Sequence, residues 1–300
     1  MIHEKAIIQK GAVIDKAANI GAYAIVEGTT KLGKGVTLSP YVHIKGNTYI
    51  GDNTFIGTGS VIGEAAQMLD QSEVRGSVYI GKNNIIREYV TVNSPTSHEK
   101  ATSIGDNNYF MACSHIAHDC KVANNVVVCN GVLVAGHVEI QDRAFVSGNV
   151  VMHQFVRIGR LTMIGGLSRV NQDIPPFMMV VGDSKVCGIN IVGLKRAGFS
   201  RQEVSTIKKV YNFLYRKDLT LKTALANIEK IESDQAKEML IFILSSSRGI
   251  CGSRRSNLWE KIFLDYPYMV RSKIPTYESL PKPNLKKYEN EASQAQQVTP

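Results

Sequence analysis

The sequence predicts a mainly β protein, in which a solenoid of hexapeptide repeats precedes an α-helical segment. One observation is a period of six: from Ile8 to Val170, 27 of 28 sixth positions are apolar, with His98 the exception. The other is a change beyond Pro176, after which apolar residues recur at helical spacing. A strict period of six fits neither an α-helix nor a plain strand. A solenoid with one short straight side per hexapeptide gives it directly.

Each side is expected to point one aliphatic residue inward, and a glycine or small polar residue is expected to turn the corner. The pattern resembles known hexapeptide-repeat proteins, which implies a three-sided, left-handed parallel β-helix with one hexapeptide on each side of a coil. Residues 8–170 then make about nine coils, about 40 Å tall at the usual strand spacing.

Two stretches within the repeat are irregular. Residues 64–77 lack the glycine pattern, although the phase of six continues through Met68 and Val74. Residues 94–103 are polar and contain His98. Both are expected to be loops that leave the solenoid, and loops on a rigid scaffold often hold ligands.

A helical segment follows the repeat. Ser200 and Glu203 form a capping-box pattern that predicts a helix to about residue 216. Further helices are predicted over residues 220–231 and 233–244. We therefore expect a repeat domain at 1–185, a helical domain at 186–250, and a partly disordered extension at 251–300. The aromatic residues of the extension are expected to pack on the helices or bind a partner: Trp259, Phe263, Tyr266 and Tyr268.

The charge is concentrated near the C-terminus. The chain carries a net charge of +9, yet residues 1–185 hold 16 basic against 15 acidic residues, and residues 186–300 hold 19 against 11. Such a surface favours an anionic partner. The N-terminus lacks a signal-peptide pattern, no apolar run is long enough to span a membrane, and five unpatterned cysteines favour a reducing cytoplasm.

Four histidines predict where the chemistry lies. His115, His118, His137 and His153 lie in one short part of the repeat, at spacings near one coil, so they are expected to form a row on one edge. His118 beside Asp119 suits a general base, because a carboxylate can hold an imidazole that accepts a proton. A backbone N–H at Gly136 could stabilise an oxyanion. Cys113 and Cys120 are interpreted as small core residues, which favours direct transfer without a covalent intermediate.

Ordered motifs along residues 1–250 resemble the UDP-N-acetylglucosamine O-acyltransferases of lipid A biosynthesis. They are the segments 115–120 (HIAHDC), 135–138 (AGHV), 153–155 (HQF), 172–176 (QDIPP), 188–191 (GINI), 193–201 (GLKRAGFSR) and 247–250 (SRGI).

The resemblance implies transfer of a 3-hydroxyacyl chain from acyl carrier protein to the sugar 3-hydroxyl, without a cofactor or metal. It implies a cytoplasmic homotrimer with sites between neighbouring prisms, no nucleic-acid partner and no stable membrane insertion. His118 matches the base, Asp119 its carboxylate and Gly136 the oxyanion donor. Met163 and Gly166 match positions that measure acyl length, and a glycine at 166 suggests a long chain. Substrate-contacting matches are Gln67, His115, His137, His153, Gln154, Asn190 and Arg196.

Several positions depart from the family pattern. Met68, Asp70, Asn93, Val192 and Ala197 replace residues expected to bind the acceptor. One alternative is therefore a divergent acyltransferase that acts on another UDP-sugar, such as an amino sugar acylated on nitrogen. A zinc enzyme of the carbonic-anhydrase type is a further alternative, although it gives Asp119 and Gly136 no role. A non-enzymatic scaffold is another, although the histidine row argues against it.

Overall fold

The computed structural model describes residues 1–68 and 76–253. Its strands are short, and four helices follow near the end of the described part. The helices are α1 (Ile191–Arg196), α2 (Arg201–Tyr215), α3 (Leu221–Glu229) and α4 (Asp234–Leu244). The strands in chain order are β1 (Ile7–Ile8), β2 (Val13–Ile14), β3 (Asn19–Ile20), β4 (Ile25–Val26), β5 (Lys31–Leu32), β6 (Thr37–Leu38), β7 (His43–Ile44), β8 (Thr48–Ile50), β9 (Phe55–Ile56), β10 (Val61–Glu64), β11 (Ser77–Ile80), β12 (Ile85–Ile86), β13 (Thr91–Asn93), β14 (Ala101–Ile104), β15 (Tyr109–Phe110), β16 (His115–Ile116), β17 (Lys121–Val122), β18 (Val127–Val128), β19 (Leu133–Val134), β20 (Glu139–Ile140), β21 (Phe145–Val146), β22 (Val151–Met152), β23 (Arg157–Ile158), β24 (Met163–Ile164), β25 (Arg169–Val170), β26 (Met178–Val181), β27 (Lys185–Ile189) and β28 (Gly252–Ser253).

The strands form three parallel sheets, each of which takes every third strand. The first face runs from β1 to β25, the second from β2 to β23, and the third from β3 through β24 to β26. Antiparallel β27 and then β28 extend the third face. We call the edge between the first and second faces the first corner, that between the second and third faces the second corner, and that between the third and first faces the third corner. The predicted parallel β-helix is confirmed.

Two excursions interrupt the regular coil. His43 pairs with Val61, which is the regular step of three hexapeptides, whereas Val61 pairs with Thr91 after five and Thr91 pairs with His115 after four. The first excursion therefore adds two hexapeptides to its coil, and the second adds one. Because both add whole hexapeptides, the phase of six continues across them. Both leave from the first corner, between β10 and β11 and between β13 and β14.

The inward positions form one continuous aliphatic core. Ile44, Ile116 and Ile164 are fully buried, as are most residues at the sixth positions. Met68 shares their phase but is 43% exposed, because residues 65–68 belong to the first excursion. This agrees with the prediction that the irregular stretch 64–77 leaves the solenoid, as far as its residues are described. The second loop is shorter than the expected 94–103, since β14 begins at Ala101.

The corners differ from the expectation that glycine and small polar residues turn them. Many corner residues in the left-handed φ region are large, such as Tyr41 (φ 62°) and Phe155 (φ 66°). Left-handed φ is costly for a bulky residue, so the surrounding coil must hold it. Cys113 turns the third corner at φ 61° and is exposed, which corrects its interpretation as a core residue.

The three predicted helices are confirmed, with small differences at their ends. Ser200, Thr220 and Ser233 cap α2, α3 and α4, and Ser200 with Glu203 forms the capping box. The antiparallel strands β26 and β27 and the short α1 lie before them and were not predicted. Two arginines of the last coils hold the helices: Arg157 bonds Asp173 and the Phe242 carbonyl, and Arg160 pairs with Glu238. Asp70 and the four aromatic residues of the extension lie outside the described residues.

Candidate active site

His118 and Asp119 meet at the first corner, in the turn between β16 and β17. Asp119 adopts a left-handed φ of 60°, and its carboxylate Oδ2 lies 2.8 Å from His118 Nδ1. Each residue is only 7% exposed. This hydrogen bond fixes Nδ1 as the protonated ring nitrogen and leaves Nε2 able to accept a proton. The pair predicted as base and supporting carboxylate is therefore brought together.

The next coil places Gly136 directly over His118. Because Ile116 pairs with Val134, residue 136 lies above residue 118 and residue 137 above residue 119. A Cβ at Gly136 would lie 2.6 Å from His118 Nε2, so only glycine leaves room for the ring. Within the described parts of the chain, the Gly136 N–H donates to no acceptor. It is available to a reacting oxygen.

The histidine row forms in part. The rings of His118 and His137 are in edge contact, with centroids 5.1 Å apart. Phe155, and not His153, stacks on His137 at 4.5 Å. The reason is the spacing: the step from His137 to His153 falls two positions short of a full coil. His153 is exposed near the same corner, and His115 lies on the first face, where Nδ1 is 2.7 Å from Thr91 Oγ1.

Burial and charge affect the titratable groups of this corner differently. Burial alone raises the pKa of Asp119, but hydrogen bonds from His118 and Thr96 and the charges of His137 and Lys100 outweigh it, so the pKa is lowered. Burial lowers the pKa of His115, and the charge of His118 lowers it further. Burial also lowers the pKa of His137, against the opposing charge of Asp119. Near neutral pH the site therefore holds an ionised Asp119 beside neutral His115 and His137.

Sequence reasoning missed two threonines that hold Asp119. Thr96 donates from its hydroxyl to Asp119 Oδ2 at 2.9 Å, and its N–H reaches the same oxygen at 3.3 Å. The Asp119 N–H donates to Thr102 Oγ1 at 2.9 Å. Thr96 lies in the second excursion, which the sequence predicted as a loop. That prediction was the only sign that this residue could reach the site. Its distance along the chain from Asp119 gave no indication of the contact.

The structure distributes the remaining predicted residues over all three corners and the third face. Gln67 and Gln154 are exposed beside the first corner, in the first excursion and after β22. Asn190 lies at the second corner, where Nδ2 donates to the Leu161 carbonyl and Oδ1 caps α1. Arg196 ends α1 and is exposed. Met163 lies on the third face, and exposed Gly166 precedes the third corner.

A cleft of about 430 Å³ opens at the second corner near the end of α1. Arg143, Arg160 and Ala197 contribute to its wall. Asp142 lines the cleft too, and Arg160 is paired with Glu238, so Arg143 brings the guanidinium group that could meet an anion there.

Alternative chemistries can be compared with this geometry. Ligand atoms of His118, Asp119 and His137 lie within 4.8 Å of one another, close enough for a metal ion. However, Asp119 Oδ2 already accepts hydrogen bonds from His118 and Thr96, and these compete with a metal ion for the same oxygen. Cys120 is buried, and burial raises the pKa of its thiol to about 12, which does not suit a nucleophile. None of the described helices is long and apolar enough to cross a membrane.

Comparisons with known families match both parts of the chain. The model of the second domain of the UDP-N-acetylglucosamine O-acyltransferases matches residues 173–251. The bacterial transferase hexapeptide model matches residues 29–64 and 101–136.

Relatives match over most of their length. The acyl-[acyl-carrier-protein]–UDP-N-acetylglucosamine O-acyltransferase of Thermodesulfovibrio yellowstonii is 45% identical over 255 residues, covering 83% of this chain and 98% of the relative. The enzyme of the same name from Campylobacter concisus is 40% identical over 253 residues, covering 83% and 96%.

Solved structures agree with the sequence matches. The UDP-N-acetylglucosamine acyltransferase of Francisella novicida superposes with a TM-score of 0.83 at 37% identity, covering 85% of this chain and 95% of that one. The Campylobacter jejuni enzyme gives a TM-score of 0.80 at 37% identity, covering 85% and 100%. The left-handed sense of the β-helix follows from these neighbours.

Proposed function

Since the chain belongs to the UDP-N-acetylglucosamine O-acyltransferase family and is an acyltransferase, we propose that it transfers a 3-hydroxyacyl group from acyl carrier protein to the 3-hydroxyl of UDP-N-acetylglucosamine. This is the first step of lipid A biosynthesis. The observation that supports the proposal most strongly is the His118–Asp119 pair beneath Gly136. The N-acylating, zinc and scaffold alternatives are not favoured, because the relatives carry the name of an O-acyltransferase.

In this proposal His118 is the general base. Nε2 takes the proton of the sugar 3-hydroxyl as the oxygen attacks the thioester carbonyl carbon. The hydrogen bond from Nδ1 to Asp119 stabilises the imidazolium that forms. When the tetrahedral intermediate collapses, the C–S bond breaks and the imidazolium returns the proton to the departing thiolate. The products are the acylated sugar nucleotide and the thiol of the carrier protein, and the enzyme is unchanged.

Gly136 has two roles in the proposal. Its missing side chain lets the His118 ring lie close to the backbone of the next coil. Its N–H then faces the reacting region and donates to the carbonyl oxygen as negative charge develops there. A donor of this kind contributes about 10²–10³-fold to rate in acyl transfer.

Substrate-binding groups on different corners support a site completed by a neighbouring chain. Within one prism, His118 lies at the first corner and Asn190 at the second, separated by the whole second face. One small ligand cannot touch both within the same chain. We therefore place His115, His137, His153, Gln154 and Gln67 on one chain of a homotrimer, and Asn190 and Arg196 on its neighbour. Arg143, in the wall of the second-corner cleft, would compensate for the arginine lost at Ala197.

An apolar stripe on the outside of the third face supports binding of the acyl chain. Seven side chains follow one another in register up this face, and Met163 lies near the upper end. They are Phe55, Ile85, Tyr109, Val127, Phe145, Met163 and Met179. Gly166 adds no side chain beside the upper end, so the groove remains open to a long chain. The lower part of this stripe is proposed to pack against the neighbouring prism, because exposed apolar area favours such an interface.

The carrier protein is proposed to dock on α2. Lys208, Lys209 and Lys217 are exposed and line a cleft of about 300 Å³ with Phe213. The ammonium group of Lys217 lies 4.5 Å from the centre of the Phe213 ring. Acyl carrier protein is acidic, and complementary charge accelerates and orients such encounters. We also propose that the repeat domain ends at residue 185 and the helical domain at residue 250. The protein is proposed to be cytoplasmic and to use no cofactor.

The acceptor is tested by a comparison of two UDP-sugars. With the same 3-hydroxyacyl carrier protein, we expect faster acylation of UDP-N-acetylglucosamine than of its 3-amino analogue. Mass spectrometry of both products distinguishes ester from amide. Faster formation of the amide would replace the O-acyl proposal with N-acyl transfer and would give the changes at Asn93, Val192 and Ala197 a functional meaning.

A further inference from the structure

The second excursion, residues 94–100, brings Thr96 into contact with the carboxylate of Asp119. The coil below His118 is longer than a regular coil by one hexapeptide, and that additional hexapeptide forms this loop. The loop begins at the first corner, directly below the turn that carries His118 and Asp119. From there Thr96 reaches Asp119 Oδ2 through its hydroxyl and its N–H.

The orientation of Asp119 depends on that single oxygen. Oδ2 accepts from Thr96 and His118, and His137 Nε2 lies 3.6 Å away. The other oxygen, Oδ1, is buried and accepts no hydrogen bond from the described residues. Without the Thr96 hydroxyl, the carboxylate would retain its side-chain hydrogen bond to His118 and the longer contact with the Thr96 N–H. The carboxylate could then rotate and draw the imidazole away from its position.

The loop is held firmly at its base. The Ser94 N–H donates to the Glu64 carbonyl at 2.7 Å, and the Lys100 N–H donates to the Ser97 carbonyl at 3.2 Å. Gly76, at the end of the first excursion, packs so closely that a Cβ there would lie 2.6 Å from Lys100 O and from Pro95 Cγ. Two excursions therefore support each other, and Thr96 is presented to Asp119 in a fixed position.

We propose that Thr96 is a positioning residue for acyl transfer: its hydroxyl orients Asp119, and through it the general base His118. This inference rests on the proposed function, because it assigns His118 the role of base. Thr96 contacts neither substrate in this account. Its loss should therefore lower kcat while KM for both substrates stays nearly unchanged.

The test compares Thr96→Val, which removes the hydroxyl and keeps the shape, with Thr96→Ser, which keeps the hydroxyl. We expect Thr96→Val to lower kcat by about 10-fold to 100-fold, the value of a hydrogen bond to a charged group. Thr96→Ser should retain most of the native kcat. Ser97→Ala, on the same loop, is the matched control and should match the native enzyme. Thermal unfolding of each variant shows whether the fold is intact.

The outcomes separate this inference from the proposed function. If the native chain transfers no acyl group, the proposed function fails before any variant is compared. If the native chain is active and a folded Thr96→Val variant keeps its kcat, the positioning role is wrong. An equal loss of kcat in Thr96→Val and Thr96→Ser also contradicts it, because serine retains the hydroxyl. If Thr96→Val does not fold, the test depends on the kcat of Thr96→Ser. A large loss of kcat in Thr96→Ser would overturn the inference.

Discussion

The imidazole of His118 lies against the backbone of Gly136 one coil above, where a Cβ would come within 2.6 Å of Nε2. The stacking of residue 136 over residue 118 follows from the regular register of the first face. The repeat therefore places the base against the backbone of Gly136, although the two residues are a full coil apart in the chain.

Gly136→Ala should disable the enzyme without unfolding it. The added methyl group must displace the imidazole or the next coil, which separates the base from the N–H. We expect kcat to fall by about 100-fold or more while the unfolding temperature changes little. Gly188→Ala is the matched control, because its Cβ would meet Met179 Cε at an ordinary 3.8 Å. Native activity in Gly136→Ala would show that the contact is dispensable.

Stability should fall as the pH falls below neutrality. The pKa values of His115 and His137 are lowered, chiefly by burial. The unfolded chain therefore binds protons that the folded chain does not. This stability is complete above the unfolded value near 6.5 and is lost as the pH falls through it toward the lowered folded values.

Thermal unfolding at about pH 7.5 and pH 5.5 measures this effect. His115→Gln should make the difference in unfolding temperature between the two pH values smaller. His3→Gln, a change at an exposed histidine, should leave the difference as it is. A difference unchanged in His115→Gln would contradict the role of burial at His115.

Charge reversal on α2 should weaken use of the carrier protein. We expect the double variant Lys208→Glu and Lys209→Glu to raise KM for the acyl carrier protein about 10-fold or more at low salt, and less at high salt. KM for UDP-N-acetylglucosamine should stay constant. Lys10→Glu with Lys16→Glu, on the first coils, is the matched control. Equal effects of both double variants would place the docking surface elsewhere.

A side chain at position 166 should shorten the accepted acyl chain. Gly166 is exposed beside the upper third face, so Gly166→Met would fill the open end of the apolar stripe. In competition between carrier proteins of different acyl length, we expect the product to shift toward shorter chains. The measurement is the mass distribution of the products. An unchanged distribution would mean that acyl length is set elsewhere.

The repeat was predictable because its signal is redundant. Nearly every sixth residue is aliphatic, and inward residues such as Ile44 and Ile164 are fully buried. Met68 keeps the phase of six although it is exposed, because the excursions insert whole hexapeptides, which preserves the phase while the chain leaves the prism. A period in the sequence records spacing, and it does not show which repeats belong to the coil.

The pair of His118 and Asp119 was also predictable, since adjacency in sequence and one turn are enough to bring them together. Thr96 was not, because its contact depends on how an inserted hexapeptide folds back on the corner. Asn190 illustrates a different difficulty. Its side chain caps α1 and bonds the Leu161 carbonyl, so the structure of one chain gives it a local role that the sequence motif did not reveal.

Acyl transfer by the native chain and by His118→Ala tests the central claim most directly. Each protein is given UDP-N-acetylglucosamine and a panel of 3-hydroxyacyl carrier proteins, and the products are read by mass spectrometry. The account predicts an O-acylated product from the native chain, with a long acyl group preferred, and a rate lower by about 100-fold or more in folded His118→Ala. No product from the intact native chain, or nearly full activity in His118→Ala, would contradict it.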